Sequence, residues 1–295
     1  MEMETGYALG MDIGGSHVSA ALVNLERREV IEHSRVDRAV DPDSSAQELI
    51  AAWGGAGAEA AACLPNARVL HAGIGMPGPF EYDSGVSCLT HKFAALYGQN
   101  VGMMLRSLWA GSSLEGAPVF FANDAAVWAL GEWWGGAGRG YARVIGVTLG
   151  TGLGSGFVAN GHIMSSGEEV PPDGQIWNLP YRDGIAEDYA AGRVIRHGYH
   201  VRTGLELDAR EVALRAAGGE QLALEVFAEL GTHLAGILAP WVECFRPDGL
   251  VVGGSIAQSW ELFSLALRSG LPDLICRPTQ HFETSSLLGG AVLGI

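Results

Sequence analysis

The sequence predicts an α/β protein made of two related parts, and three observations lead there. Short apolar runs of strand length alternate with longer helical patterns, which implies mixed sheets covered by helices. Glycine makes up 43 of 295 residues, roughly twice the ordinary share of about 7%, and it gathers where strands end. Two glycine hairpins, GMDIGGSHVSAALVN (10–24) and GVTLGTGLGSGFVAN (146–160), align without a gap. Gly10 matches Gly146, Gly14 matches Gly150, Ser19 matches Ser155 and Asn24 matches Asn160, with Ile13 opposite Leu149. An approximate repeat of this kind predicts two domains of related fold, each opening with a β-hairpin.

The elements follow in order. After the first hairpin the pattern predicts a helix near 46–63, the strand RVLHAGIGMPGPF, a helix near 99–109, the strand PVFFA, and a helix starting at Asn123 or Asp124. The second half predicts its hairpin, an irregular segment 162–184, a helix from about 185, and a long helix over 221–245. It closes with the strand GLVVGG, a helix from Ser255 and a last helical turn, SSLLGGAVLGI. The uncharged stretch 144–167 is read as a buried hairpin, because its glycines, Thr148, Thr151 and Asn160 break any lipid-facing helix.

Composition excludes several functions. The net charge of −15, with 18 Lys and Arg, argues against a nucleic-acid binder, which needs clustered cations. A small molecule is the expected partner. Cys63, Cys88, Cys244 and Cys276 form no CxxC pair, so neither a disulfide framework nor a thiolate zinc site is expected. MEMETGYALG lacks the apolar core of a signal peptide. These features together predict a cytoplasmic protein with no membrane partner.

The glycine turns carry the chemistry. In DIGGS, Gly14 and Gly15 let the backbone aim N–H groups at an anion, while Ser16 offers a hydroxyl and Asp12 a hard carboxylate for Mg²⁺. In GTGLGSG, Gly150, Thr151 and Gly152 offer a second cradle. In VVGGSIAQ a strand ends at Gly253 and Gly254 and a helix starts at Ser255, a place suited to a nucleotide contact. Three such turns favour a nucleotide site, although no GxxxxGKS loop is present. Asn123 and Asp124 close an apolar run ahead of a helix. They read either as a helix cap or as a costly polar pair kept for use.

Taken in order, DIGGSHVSAALV, GIGMPGPF, ANDAAVWALGE, TLGTGLGSGFVANG, EDYAAG and VVGGSIA resemble the ROK family of sugar kinases, within the hexokinase, Hsp70 and actin-like superfamily. The resemblance runs from about residue 8 to 295. It implies duplicated actin-like, ribonuclease H-like domains, a smaller one over 1–122 and a larger one over 123–295. The last helix would pack back onto the first domain. It further implies ATP and Mg²⁺ with a sugar between the domains, a homodimer, Asp124 as catalytic base, and Asn123 and Gly78 at the sugar. On this reading the chain phosphorylates a sugar hydroxyl. The alternative is a non-catalytic sugar sensor on the same fold.

The departures bear on the acceptor. Such kinases usually carry a GExGH motif, a CxCGxxGC zinc cluster and a further sugar-binding Glu. Here GQIWNLPYRDGIAEDYAAG puts Gln175 for the first Glu, Asn178 for the His and Glu187 for the last Glu, with no Cys or His from 179 to 186. No structural zinc is expected, and glucose selectivity is in doubt. Glu168, Glu169 or Asp173 would substitute if the segment is matched differently. His17, His91 and Lys92 read as surface-loop residues, with Lys92 also able to meet an acidic or phosphorylated substituent. Trp128, Trp133 and Trp134 read as packing.

Overall fold

A computed structural model describes residues 6–295. Residues 1–5, on which the signal-peptide reading partly rests, lie outside the described residues. The chain divides into two compact units, one running up to Gly136 and taking in Glu283–Ile295, the other Ala137–Phe282.

Unit 1 contains β1 (Tyr7–Ile13), β2 (His17–Asn24), β3 (Glu29–Val30), β4 (Val36–Ala39), α1 (Ala46–Ala62), β5 (Val69–Met76), β6 (Phe80–Glu81) and β7 (Val86–Ser87). It continues with α2 (Val101–Leu108), β8 (Val119–Asn123) and α3 (Asp124–Gly135). Its sheet runs β3-β2-β1-β5-β8, with β4 also on β2. The β1–β2 pair is antiparallel, while β1, β5 and β8 are parallel. Unit 2 contains β9 (Arg143–Leu149), β10 (Leu153–Ala159), β11 (His162–Ile163), β12 (Pro180–Tyr181), β13 (Gly184–Ile185), α4 (Gly192–Thr203) and α5 (Ala209–Ala217). Then follow α6 (Gln221–Phe245), β14 (Gly249–Gly253), α7 (Trp260–Gly270) and β15 (Ile275–Pro278). The last helix, α8 (Ser285–Val292), returns to unit 1. The second sheet runs β11-β10-β9-β14-β15, again an antiparallel hairpin followed by two parallel strands. The two sheets therefore share a core order, as a duplication would leave.

Alternation along β1 explains how unit 1 is built. Side chains two apart share a face, so Leu9, Met11 and Ile13 enter one core, with Trp53 of α1 and Ile74 of β5. Gly10 and Asp12 point to the other face, where α8 lies. A Cβ on Gly10 would fall 2.0 Å from Leu287 O, and one on Gly73 1.9 Å from Gly290 O. On α3, a Cβ at Gly131 would fall 1.8 Å from Ser285 O, and on α8 one at Gly289 would fall 1.8 Å from Val127 O. Glycine lets these backbones touch, and the fully buried Glu132 carboxylate accepts the Ser285 hydroxyl at the same seam. This packing is why the compact unit ends at Gly136 rather than at 122, with α3 inside unit 1.

Some elements differ from expectation. The helix anticipated from about 185 starts at Gly192, after a single 3₁₀ turn over Ala186–Asp188. Likewise Ser255–Ser259 forms a 3₁₀ turn ahead of α7. Helix α5 and strand β15 were not anticipated. The gapless hairpin repeat also slips: Ile13 faces Val18 with four residues between, whereas Leu149 faces Leu153 with three. The first turn is one residue longer, so Ser19 lies opposite Asp12 but Ser155 opposite Val147. Helix α6 is apolar and long enough to cross a bilayer by length alone, and its Leu230, Leu234 and Phe245 are buried in the unit 2 core.

Candidate active site

In unit 1 the parallel register brings the acidic residues together. Asp12 pairs with Gly75, and Met76 pairs with Asn123, so Asp12 and the Asn123–Asp124 step sit at the same ends of three adjacent strands. Gly75 lies between the two acids: a Cβ there would fall 3.4 Å from Asp12 Oδ1 and 3.5 Å from Asp124 Cα. The missing side chain lets Asp12 and Asp124 approach the strand from both sides. Both readings of the Asn123–Asp124 pair have a basis here. Asn123 Oδ1 accepts from Ala125 N and Ala126 N at 3.1 and 3.2 Å, capping α3. Asp124 Oδ1 accepts from Ala125 N at 2.8 Å in the first turn, where the helix dipole favours a negative charge.

Electrostatics separates this site from an ordinary cap. Burial, and then repulsion by Asp124, pushes Asp12 up to about 7 against a hydrogen bond from Ser286. Burial also raises Asp124, opposed by the Ala125 and Asp124 backbone amides, the Lys92 cation and Asn123. Two buried carboxylates, one of them raised by the other, offer the hard oxygen donors a divalent cation prefers.

The first turn lies beside them. Gly14 N donates to His17 O at 3.0 Å, and the His17 ring covers Gly14, since a Cβ there would fall 2.2 Å from its Cε1. Gly15 is covered by Lys92, and Ser16 is exposed with its carbonyl bound by Val40 N at 2.8 Å. Gly78 is exposed two residues beyond β5. His91 is exposed, and Trp128 and Trp134 are buried as packing residues.

Unit 2 gathers its own set. Gly253 pairs with Thr148, so β14 ends beside the second turn. Gly254 adopts φ 82°, and a Cβ there would fall 2.3 Å from Leu149 O, so only glycine fits. Ser255 Oγ would lie 3.6 Å from a Cβ on Gly150, and Gly192 N, opening α4, donates to Gly150 O at 2.8 Å. Thr151 is exposed at the tip of the turn. Glu187 lies in the 3₁₀ turn ahead of α4. Its Oε2 accepts Leu153 N at 2.9 Å and lies 2.6 Å from a Cβ built on Gly152, while Oε1 meets Arg193 Nη1 at 3.1 Å.

Gln175 and Asn178 stand on the neighbouring strand-like stretch. Glu187 N donates to Trp177 O at 2.9 Å and Ala186 N to Leu179 O at 2.9 Å, which lays 177–179 alongside 186–187. Gln175 Oε1 accepts Trp177 Nε1 at 2.7 Å, and Asn178 is exposed. Of the possible substitutes, Glu169 is paired with Arg143 at 2.8 Å, and Glu168 and Asp173 are exposed. Among the described residues no cluster of three or more His, Cys, Asp or Glu could hold a metal ion.

One residue escaped the sequence reading. Ser286 bonds Asp12, and its only signal was the Ser-Ser pair opening the last helical turn. Lys92, read as a loop residue, covers the first turn.

A family model described as the ROK family matches residues 8–291. A glucokinase of Thermotoga maritima is 27% identical over 289 residues, covering 90% of this chain and 87% of that protein. An N-acetyl-D-glucosamine kinase of Haemophilus influenzae is 27% identical over 320 residues, covering 96% and 98%. The crystal structure of a ROK family glucokinase from Streptomyces griseus, in complex with glucose and AMPPNP, matches with a TM-score of 0.73 at 24% identity, covering 97% of this chain and 98% of that one.

Proposed function

The chain belongs to the ROK family, and from that premise we propose that it is an ATP-dependent kinase of a sugar or sugar-derivative hydroxyl with Asp124 as general base. The observation that carries this reading is the pair Asp12 and Asp124 flanking Gly75 at the ends of three parallel strands. A helix cap needs no second carboxylate beside it. In the reaction the acceptor oxygen bonds to the γ-phosphorus while the bond to the bridging oxygen breaks, leaving its electron pair on ADP. The hydroxyl proton passes to the Asp124 carboxylate.

Such a transfer depends on positioning and charge neutralisation plus one base within reach. Burial raises the Asp124 pKa, and a stronger base is a better proton acceptor. Asn123 presents its amide beside the base, and Gly78 lines the acceptor side. Asp12 would hold Mg²⁺, which neutralises phosphate charge when bound. In unit 2 the second turn and the Gly253–Ser255 turn are assigned to ATP. The Leu153 amide beside the second turn donates to the Glu187 carboxylate.

The acceptor class is the one the relatives' names suggest, a hexose or its amino derivative, with Gln175, Asn178 and Glu187 reading its hydroxyls. Gln and Asn form neutral bonds, so glucose is expected to be a weak substrate. A sugar panel assayed for ADP release with ATP and Mg²⁺ tests the reading; if no sugar stimulates release, the kinase assignment is wrong.

A further inference from the structure

We propose that Lys92 is a catalytic residue of the transfer, its ammonium meeting the transferred phosphoryl group at the first glycine turn beside the Asp124 base. The assignment rests on the kinase reading above and deepens it.

The side chain lies along the turn. A Cβ on Gly15 would fall 2.5 Å from Lys92 Nζ, 3.3 Å from Cε and 3.4 Å from Cδ. The backbone behind it is held by the core. Phe93 is fully buried at φ 54°, its N–H bonds Pro42 O at 3.1 Å, and its ring stands edge-on to Trp53 at 5.0 Å. A bulky side chain in the left-handed region is strained and persists only where packing enforces it. That packing aims the preceding residue at the turn.

Charge points the same way. Lys92 has no carboxylate partner in a salt bridge among the described residues. Backbone N–H groups of a glycine turn cannot accept from an ammonium, so the cation itself is left for an anion. The same charge also favours the ionised form of Asp124.

Composition supplies a third argument. Of the chain's 18 basic residues, 17 are Arg, and Lys92 is its only lysine. Arg brings a wide planar fork, whereas Lys brings a compact point charge on a flexible stem. A compact cation suits the close approach of Nζ to Gly15. As the new oxygen–phosphorus bond forms and the bridging bond breaks, the Lys92 ammonium offsets charge on the equatorial oxygens.

The test compares wild type, Lys92→Met and Lys92→Arg in sugar-dependent ADP release, with AMPPNP binding by calorimetry in Mg²⁺ buffer. Lys92→Met is expected to lower kcat about 100- to 1,000-fold, with AMPPNP affinity and sugar KM within about threefold of wild type. Lys92→Arg should recover at least about tenfold of that loss without reaching wild type. An active wild type with an unaffected Lys92→Met kcat overturns the Lys92 assignment alone. So does a Lys92→Met protein that loses AMPPNP affinity but keeps kcat at saturation. A wild type that no sugar activates overturns the kinase reading and this assignment with it.

Discussion

The two glycine hairpins begin from one pattern and end in opposite electrostatics. The first turn, between β1 and β2, holds one residue more, carries Asp12, and is covered by the Lys92 cation. The second, between β9 and β10, has Thr148 in place of the acid and is covered by the Glu187 carboxylate, which takes the Leu153 amide. Two carboxylates and a lysine suit bond-making. A carboxylate that takes up a turn amide does not. The difference teaches that a repeated turn supplies only a backbone shape, and that the residues brought over it decide its work.

Matched substitutions should break the symmetry. Asp12→Asn is expected to lower kcat at least about 100-fold, whereas Thr151→Ala in the second turn should act mainly on the KM for ATP, by less than about tenfold. Steady-state kinetics at varied ATP separates the two outcomes, and equal effects on kcat would erase the contrast. The next effect concerns the seam that keeps α3 and α8 in unit 1. Gly289→Ala would press a methyl group to 1.8 Å from Val127 O, and overpacking against backbone costs about 1–3 kcal/mol or more. Urea denaturation should show a lowered midpoint, and an unchanged one would mean that the seam is loose.

In unit 2 the paired change Gln175→Glu with Asn178→His should raise glucose kcat/KM roughly tenfold per contact, the gain of a charge-assisted bond over a neutral one. A sugar ranking that does not move would remove both residues from the acceptor site.

The smallest effect is on stability against pH. His71 is buried, its Nε2 is 2.9 Å from Ala291 O, and burial holds its pKa below the usual value although that bond opposes the shift. The unfolded chain therefore takes up this proton first, near pH 6.5. Stability from His71 is present above that pH and is lost as pH falls from there toward the lower folded value. Urea midpoints for wild type and His71→Gln between pH 7.5 and 5.5 should converge on acidification. Parallel curves would mean that His71 titrates normally.

Much of this molecule was readable from periodicity and glycine placement. Helix α6 spans the anticipated 221–245, and α1 and α2 lie within two residues of their expected bounds. Both hairpins and the strands leading to Asn123 and Gly253 also stood out, because apolar runs ending in glycine or polar residues have few other solutions. What escaped depended on partners distant in sequence. The α3–α8 seam joins Gly131 to Ser285 and Val127 to Gly289, and no local pattern announces it, so the boundary was expected at 122. The one-residue slip between hairpins was hidden because glycine runs align in either register. Lys92 was visible as the only lysine, yet its direction is set by the buried, left-handed Phe93, which propensity would not place there.

The central claim is that Asp124 removes the acceptor's proton. Asp124→Asn keeps a side-chain oxygen for the Ala125 amide while discarding the base. Its kcat, measured with the best acceptor from the sugar panel and alongside its thermal midpoint, tests the claim most directly. The expected result is a fall of about 10²- to 10⁴-fold with a midpoint close to wild type. Near wild-type turnover would show that Asp124 is only the first residue of a helix.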